Sequence, residues 1–126
     1  MAREPFAEAS QQLLELSERN EISAVVSAIS FNNIYYIVRK NRSALMARDC
    51  IKQLRSIVGI VEVDAKILNQ ALDSDIKDFE DAIQYFSSIR SGSSHLITRN
   101  PADFPSTESV TIATPEVFLS FWKAKN

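Results

Sequence analysis

The amino-acid sequence predicts an α/β fold in which a short parallel sheet is flanked by helices. Short, apolar, β-branched segments alternate along the chain with longer segments whose apolar residues recur at helical spacing. The short segments are almost wholly apolar, which is typical of strands that are covered on both faces. Strands that alternate with helices in this way pair in parallel, because each helix carries the chain back across the sheet.

Length and composition predict one globular domain over residues 1–126. The chain is 45% hydrophobic and 24% charged, and its net charge of −2 supplies no long-range attraction to nucleic acid. Any RNA binding would therefore need a local basic patch or a bound cation. The single cysteine, Cys50, excludes an intramolecular disulfide and indicates a reducing cytoplasm. No apolar run approaches the roughly 18 to 20 residues of a membrane span, so we expect no membrane partner.

The first half of the chain is predicted to form a helix, a strand and two further helices. The predicted ranges are 5–19, 22–28, 30–40 and 43–58, with Ser30 as the cap of the second helix. The residues predicted to face the core are Phe6, Ala9, Leu13 and Leu16, then Phe31, Ile34, Tyr35 and Val38, then Ala47, Ile51, Leu54 and Val58.

Two polar features in this half have more than one interpretation. Asn32 and Asn33 fall in the predicted first turn of the second helix, where they could cap it or serve a polar site. The chain's basic cluster could contact phosphates, but a solvated helix face is the more common explanation of such a stripe. The cluster consists of Arg39, Lys40, Arg42, Arg48, Lys52 and Arg55.

The second half continues the alternation. Asp64 is predicted to cap a helix that ends near Leu72, with Leu68, Ala71 and Leu72 facing inward. Ser91-Gly92 should end the next helix, because glycine adopts the left-handed C-terminal conformation easily. The Thr114-Pro115-Glu116 triplet predicts the start of the last helix, whose apolar stripe is Val117, Phe118, Phe121 and Trp122. The remaining predicted ranges are strands at 60–63, 95–98 and 110–112 and a helix at 78–90.

Two acids occupy element ends that could converge. Asp81 lies in the first turns of the helix at 78–90, and Asp103 follows the strand at 95–98, where α/β sheets bind ligands. Helical spacing predicts that Asp78, Asp81 and Tyr85 share one face of that helix. Carboxylates at such a place suit Mg²⁺ or Mn²⁺. From spacing alone, the simpler interpretation is that Asp78 and Asp81 cap the helix and that Asp103 is a solvated turn residue.

Four stretches of the sequence, in this order, resemble the PIN domain family. They are SAISFNNIYYIVRK, DFEDAIQYF, HLITRNPADF and VTIATPEVFL. The family consists of compact α/β nucleases with a three-layer sandwich fold, many of them toxin ribonucleases of bacterial toxin–antitoxin pairs. The resemblance implies RNA as substrate, an antitoxin or a second copy of the chain as partner, and weakly held Mg²⁺ or Mn²⁺.

The resemblance also implies the residues of the site. Asp81 and Asp103 match acids that hold the metal, and Asn33 stands where the family usually has a glutamate. The segment Thr98, Arg99 and Asn100 is expected to line the same site.

The family's opening strand, which carries a further aspartate, has no counterpart in the sequence. We therefore expect an N-terminally truncated fold whose sheet has a gap, an unpaired edge or a slot that a partner chain fills. Two functions remain open: a metal-dependent ribonuclease with an incomplete acidic site, and a catalytically inert binding or dimerisation module. A receiver-like phosphoacceptor is a weaker third candidate. Such proteins need acidic residues at the end of an early strand, and the sequence lacks them.

Overall fold

The computed structural model describes the backbone from Pro5 to Asn126 and the side chains from Glu8 onward, so the predicted burial of Phe6 lies outside the described part. The described residues form six α-helices, one short 3₁₀ helix and four strands. In chain order these are α1 (Pro5–Glu18), β1 (Val25–Ser27), α2 (Ala28–Asn41), α3 (Ala44–Ile57), β2 (Gly59–Val61), α4 (Ala65–Leu72), α5 (Phe79–Arg90), β3 (His95–Ile97), η1 (Pro101–Asp103), β4 (Thr111–Ala113) and α6 (Pro115–Lys125).

The mixed α/β class and the parallel pairing are confirmed. β1 pairs with β2, with Val26 opposite Ile60, and β3 pairs with β4, with Leu96 opposite Ile112. Within the described residues these pairs form two separate two-stranded sheets. The expected gap or unpaired edge stays a prediction.

One compact unit of the chain comprises the described residues up to Leu13 together with Asp64–Asn126. Its apolar core includes Tyr85 of α5, Leu96 of β3 and Val110, which lies just before β4. Half-buried apolar side chains pack against these three, namely Ile76, Phe86, Phe104 and Ile112. α5 therefore packs against the β3–β4 pair, and the loops at the carboxyl end of β3 lie beside it.

The other compact unit, which we call the second unit, is Leu14–Val63. It contains the β1–β2 pair and a hairpin in which α2 packs against α3. The predicted seam of α3 is confirmed, since Ala47 and Val58 are buried and Ile51 and Leu54 are half-buried. The Ser17 hydroxyl donates a hydrogen bond of 2.7 Å to the carbonyl of Ile57, which ties the end of α1 to the end of α3.

Three helices begin at the predicted caps Asp64, Asp78 and Thr114, and α3 begins after Ser43, the first residue of its predicted range. Each of these four residues accepts a hydrogen bond from the backbone N–H three residues later. The prediction for α2 is wrong: its cap is Ser27, because the helix begins at Ala28 and Ser30 lies inside it.

Asp64 has a second partner besides the helix that it caps. Its Oδ1 accepts from the Ile67 N–H at 3.1 Å and lies 2.9 Å from Nη1 of Arg90, at the end of α5. The hydrogen bond from Arg90, and then that from Ile67, hold the pKa of the Asp64 carboxyl below its usual value. One carboxylate thus joins the start of α4 to the end of α5.

Burial on α4 and α6 differs from the predicted stripes. On α4, Ile67 and Ala71 are buried, whereas Leu72 is 67% exposed and Leu68 is also exposed. On α6, Leu119 is buried, while Val117 and Phe121, which were predicted to face inward, are exposed. Both helices carry a wide apolar surface, and the neighbouring elements cover only part of it.

α5 ends as the sequence predicts, with Ser91 as its C-terminal cap and Gly92 in the left-handed region at φ 69°. No helix within the described residues is both long and apolar enough to cross a membrane.

Candidate functional site

Asp81 is held at the start of α5 by the cap of that helix. Its backbone N–H donates to Oδ1 of Asp78 at 2.9 Å, so Asp78 serves the helix, as the simpler interpretation of that residue expected. Asp81 is the third residue of α5, and its side chain is half-buried. Its carboxylate therefore projects from the first turn without being used as the cap.

Asp103 lies in a loop whose backbone is held by local hydrogen bonds. Thr98 continues the β3–β4 pairing, since its N–H donates to the carbonyl of Ala113 at 2.9 Å. The Asn100 N–H donates to the Thr98 hydroxyl at 3.2 Å, and the Asp103 N–H donates to the Asn100 carbonyl at 3.0 Å. Asp103 thus ends a short 3₁₀ turn with its side chain exposed, just past the carboxyl end of β3.

An apolar contact fixes this loop to α5. Phe104, the residue after Asp103, packs against the cluster of Tyr85, Leu96 and Val110. Tyr85 is buried, and its hydroxyl donates to Oγ1 of Thr107 at 3.3 Å. The sequence grouped Tyr85 with the acids on one face of α5, but it is part of the core. Tyr85 follows Asp81 by about one helical turn. Its two contacts with the segment after β3, through Phe104 and Thr107, therefore lie close to Asp81.

Electrostatics link the two acids. Partial burial is the main cause that raises the pKa of the Asp81 carboxyl, and the charges of Asp78, Asp103 and Glu80 raise it further. The influence of Asp103 shows that the loop and the start of α5 share one electrostatic environment. The accumulated negative charge is of the kind that a bound cation relieves.

The donor atoms suit a weakly held, hard cation. Among residues 5–126 no group of three or more His, Cys, Asp or Glu side chains is close enough together to hold a metal ion. Charge repulsion acts over longer distances than metal coordination, so Asp81 and Asp103 can influence each other without forming a closed cage. Two carboxylates fit Mg²⁺ or Mn²⁺ chemically, but they would bind either ion weakly.

Arg99 is directed to partners in its own unit. It donates to the Ser10 hydroxyl at 3.0 Å and forms an ion pair of 3.6 Å with Glu116 at the start of α6. Sequence reasoning treated Glu116 only as a helix-start acid, and no sequence signal indicated its pairing with Arg99. The predicted site-lining role of Arg99 stays a prediction.

Asn33 belongs to the other unit. Because α2 begins at Ala28, Asn33 lies in its second turn and not in the predicted first turn, and its side chain is half-buried. Its assignment to the site stays a prediction.

Comparison with known proteins gives one family. A model of the PIN domain matches residues 1–102, which include Asn33, Asp81 and the Thr98–Asn100 segment and end one residue before Asp103. No curated protein and no solved structure matches the chain.

Proposed function

The chain belongs to the PIN domain family, and on this premise we propose that it is a divalent-metal-dependent ribonuclease of toxin type with an incomplete acidic site. PIN domains bind nucleic acid and are generally nucleases. The observation that supports the proposal most directly is the packing of Phe104 against Tyr85, which holds the Asp103 loop beside α5, and the charge of Asp103 helps to raise the pKa of Asp81. The raised pKa indicates a concentration of negative charge where the loop after β3 meets the start of α5.

In this proposal Asp81 and Asp103 hold Mg²⁺ or Mn²⁺. When bound, such an ion activates a water and stabilises the charge that develops on the phosphate. Asn100 is exposed in the same loop as Asp103, so its amide is suited to donate a hydrogen bond to a phosphate oxygen. Phe104 and Tyr85 keep this loop against α5.

A catalytically inert binding or dimerisation module is the second candidate function. The observation in its favour is that no cluster of three potential metal ligands occurs within the described residues. Two carboxylates hold a cation less firmly than three or four, because affinity at hard-cation sites rises with the charge of the ligands.

A cleavage assay separates the two candidates. We expect slow, Mn²⁺-dependent cleavage of single-stranded RNA that Asp81→Asn and Asp103→Asn both abolish. Asp75→Asn is the matched control, because Asp75 is an exposed acid of the same unit outside the α5 start and the Asp103 loop, and it should cleave like the parent. Cleavage that persists in both site variants would remove the site assignment, and the absence of cleavage with any divalent ion would favour the inert module.

An extended chain gives a further test of the acidic site. We expect that adding an N-terminal strand with the family's aspartate increases Mn²⁺-dependent cleavage, because a third carboxylate strengthens cation binding. The same extension with asparagine in place of that aspartate is the control. An equal rate with both extensions would show that ligand charge does not limit the activity.

A further inference from the structure

The turn that joins α2 to α3 exposes an unusual amount of apolar surface. We call residues 36–46, with the α2 end, the turn and the α3 start, the hairpin tip. Within it Leu45 is 78% exposed, Ile37 60%, Tyr36 54% and Met46 52%. Exposed apolar side chains are common singly, but a group of four within eleven residues of sequence is typical of an interaction site.

The same hairpin is strongly basic. Residues 28–58 contain six cations and one acid, Asp49, so the hairpin carries a net charge of +5 in a chain whose net charge is −2. The rest of the chain therefore has a net charge of −7. The six cations, all exposed, are Arg39, Lys40, Arg42, Arg48, Lys52 and Arg55.

The apolar and basic features meet on one face of α3. Leu45, Arg48, Lys52 and Arg55 follow each other at three- and four-residue steps, which places them along one exposed stripe. The stripe lies away from the seam of Ala47, which is buried against the rest of the second unit. A partner on this stripe would therefore meet an apolar end beside a row of positive charges.

We propose that the hairpin tip and this stripe bind an acidic amphipathic helix of another protein. An apolar stripe on that helix would cover Leu45, Ile37 and Met46, and its carboxylates would pair with Arg48, Lys52 and Arg55. Charge complementarity supports this choice, because a +5 surface attracts acidic segments and repels basic ones. The inference concerns the second unit alone and does not depend on the nuclease assignment.

RNA and a second copy of the chain fit this surface less well. Three of the four exposed apolar side chains at the tip are aliphatic, and aliphatic side chains do not offer the flat faces on which unpaired bases stack. A two-fold dimer through the hairpin would bring the same stripe of cations against itself. An acidic protein segment satisfies both the apolar and the charged parts of the surface.

The test uses a designed helical peptide as probe, about 18 residues long, with leucines at i, i+3, i+4 and i+7 spacing and glutamates elsewhere. We expect fluorescence anisotropy to give a Kd of about 10 to 100 μM at low salt, weakening as salt is added. Leu45→Ser and the double variant Arg48→Glu/Lys52→Glu should each weaken binding by about tenfold or more.

Matched controls make the result specific. Leu72→Ser removes a leucine that is 67% exposed on α4, outside the hairpin, and it should leave the Kd within about twofold. Lys66→Glu/Lys77→Glu is the corresponding charge control outside the hairpin. A peptide of the same composition in scrambled order should bind at least about tenfold more weakly than the probe, and circular dichroism of each variant should match that of the parent.

Several results would overturn the proposal. They are the absence of peptide binding at about 1 mM, equal weakening by Leu45→Ser and Leu72→Ser, and equal binding of the scrambled peptide. Tighter binding of single-stranded RNA, with the Leu45→Ser affinity unchanged, would assign the stripe to phosphates instead. A concentration-dependent dimer in sedimentation that Leu45→Ser disperses would assign the tip to a second copy.

Discussion

The carboxylate of Asp81 is less stable in the folded chain than in water. Partial burial and the charges of Asp78, Asp103 and Glu80 raise its pKa, so the folded state binds a proton more readily than the unfolded state does. The resulting destabilisation is absent below the ordinary value of 3.8 and develops as the pH rises from there through the raised pKa. Near neutral pH it is fully present.

We therefore expect Asp81→Asn to stabilise the fold at pH 7. The gain in the free energy of unfolding should be about 0.2 to 1 kcal/mol, since the side chain is only partly buried and the helix dipole favours a negative charge at this end. Urea denaturation at pH 7 and near pH 3.5 measures it, and the gain should vanish at the lower pH. A loss of stability at pH 7 would contradict the electrostatic account, and Asp75→Asn serves as control.

His95 should show the opposite dependence on pH. Burial lowers the pKa of its imidazole, whose ring contacts those of Phe118 and Phe121 at centroid distances of 4.9 and 5.1 Å. The unfolded chain then binds a proton more readily, so stability is present above 6.5, the ordinary pKa, and is lost as the pH falls below it.

The test for His95 compares melting temperatures at pH 7.5 and pH 5. The parent should lose stability between these values, and His95→Phe, which keeps an aromatic ring between Phe118 and Phe121, should lose less. His95→Gln is a second variant that removes the titration without adding an apolar ring. Equal losses in all three proteins would show that His95 does not carry the dependence.

Sequence reasoning about single side chains succeeded where the chemistry is local. Asp78 was identified as a cap because the cap lies at a fixed offset from the helix it begins. Tyr85 was misplaced because its burial depends on Phe104 and Val110, which approach it only in the folded chain. The pairing of Arg99 with Glu116 escaped notice for the same reason.

Three helices begin at the caps that the sequence predicts, and the cap of α6 gives a quantitative test. The Thr114 hydroxyl accepts from the Val117 N–H at 3.2 Å. Thr114→Ala should lower the free energy of unfolding by about 1 kcal/mol, whereas Thr114→Ser should keep most of the stabilisation that the cap provides. Urea denaturation compares the two, and equal stability of Thr114→Ala and the parent would show that Pro115 alone is enough to start the helix.

The faces of the helices were harder to predict than their ends. α4 has apolar residues at five of its eight positions, so periodicity alone could not distinguish Ile67 and Ala71 from Leu68 and Leu72. Which of these side chains become buried depends on the element that packs against α4, and that element is α5. The strand at 22–28 was predicted four residues too long. Residues 22–24 precede β1, and Ala28 already belongs to α2, which Ser27 caps.

The described part of the chain follows the predicted alternation, and its parallel pairing could be derived from that alternation because helical crossovers impose it. The residues of the candidate site could be named from the family resemblance. Their electrostatic coupling could not, because it depends on Phe104 holding the Asp103 loop against α5.

For the whole chain we expect only weak stabilisation by Mg²⁺. A dissociation constant of about 1 to 10 mM implies a gain of about 0.4 to 1.4 kcal/mol at 10 mM Mg²⁺, or a rise in Tm of about 2 to 5 °C. Thermal melts of the parent should show this rise, and Asp81→Asn and Asp103→Asn should not. NaCl at matched ionic strength controls for screening, and an equal rise in both variants would place the ion elsewhere.

The single carboxylate that joins α4 to α5 also has a consequence for motion. Because Oδ1 of Asp64 holds both the Ile67 N–H and Arg90, fraying of the first turn of α4 removes an ion pair from the last turn of α5. The two helix ends should therefore open together as one cooperative segment. Amide hydrogen exchange should then show similar protection for the first turn of α4 and the last turn of α5, and Asp64→Asn, which keeps a cap but loses the ion pair, should let the α5 end exchange faster than the start of α4.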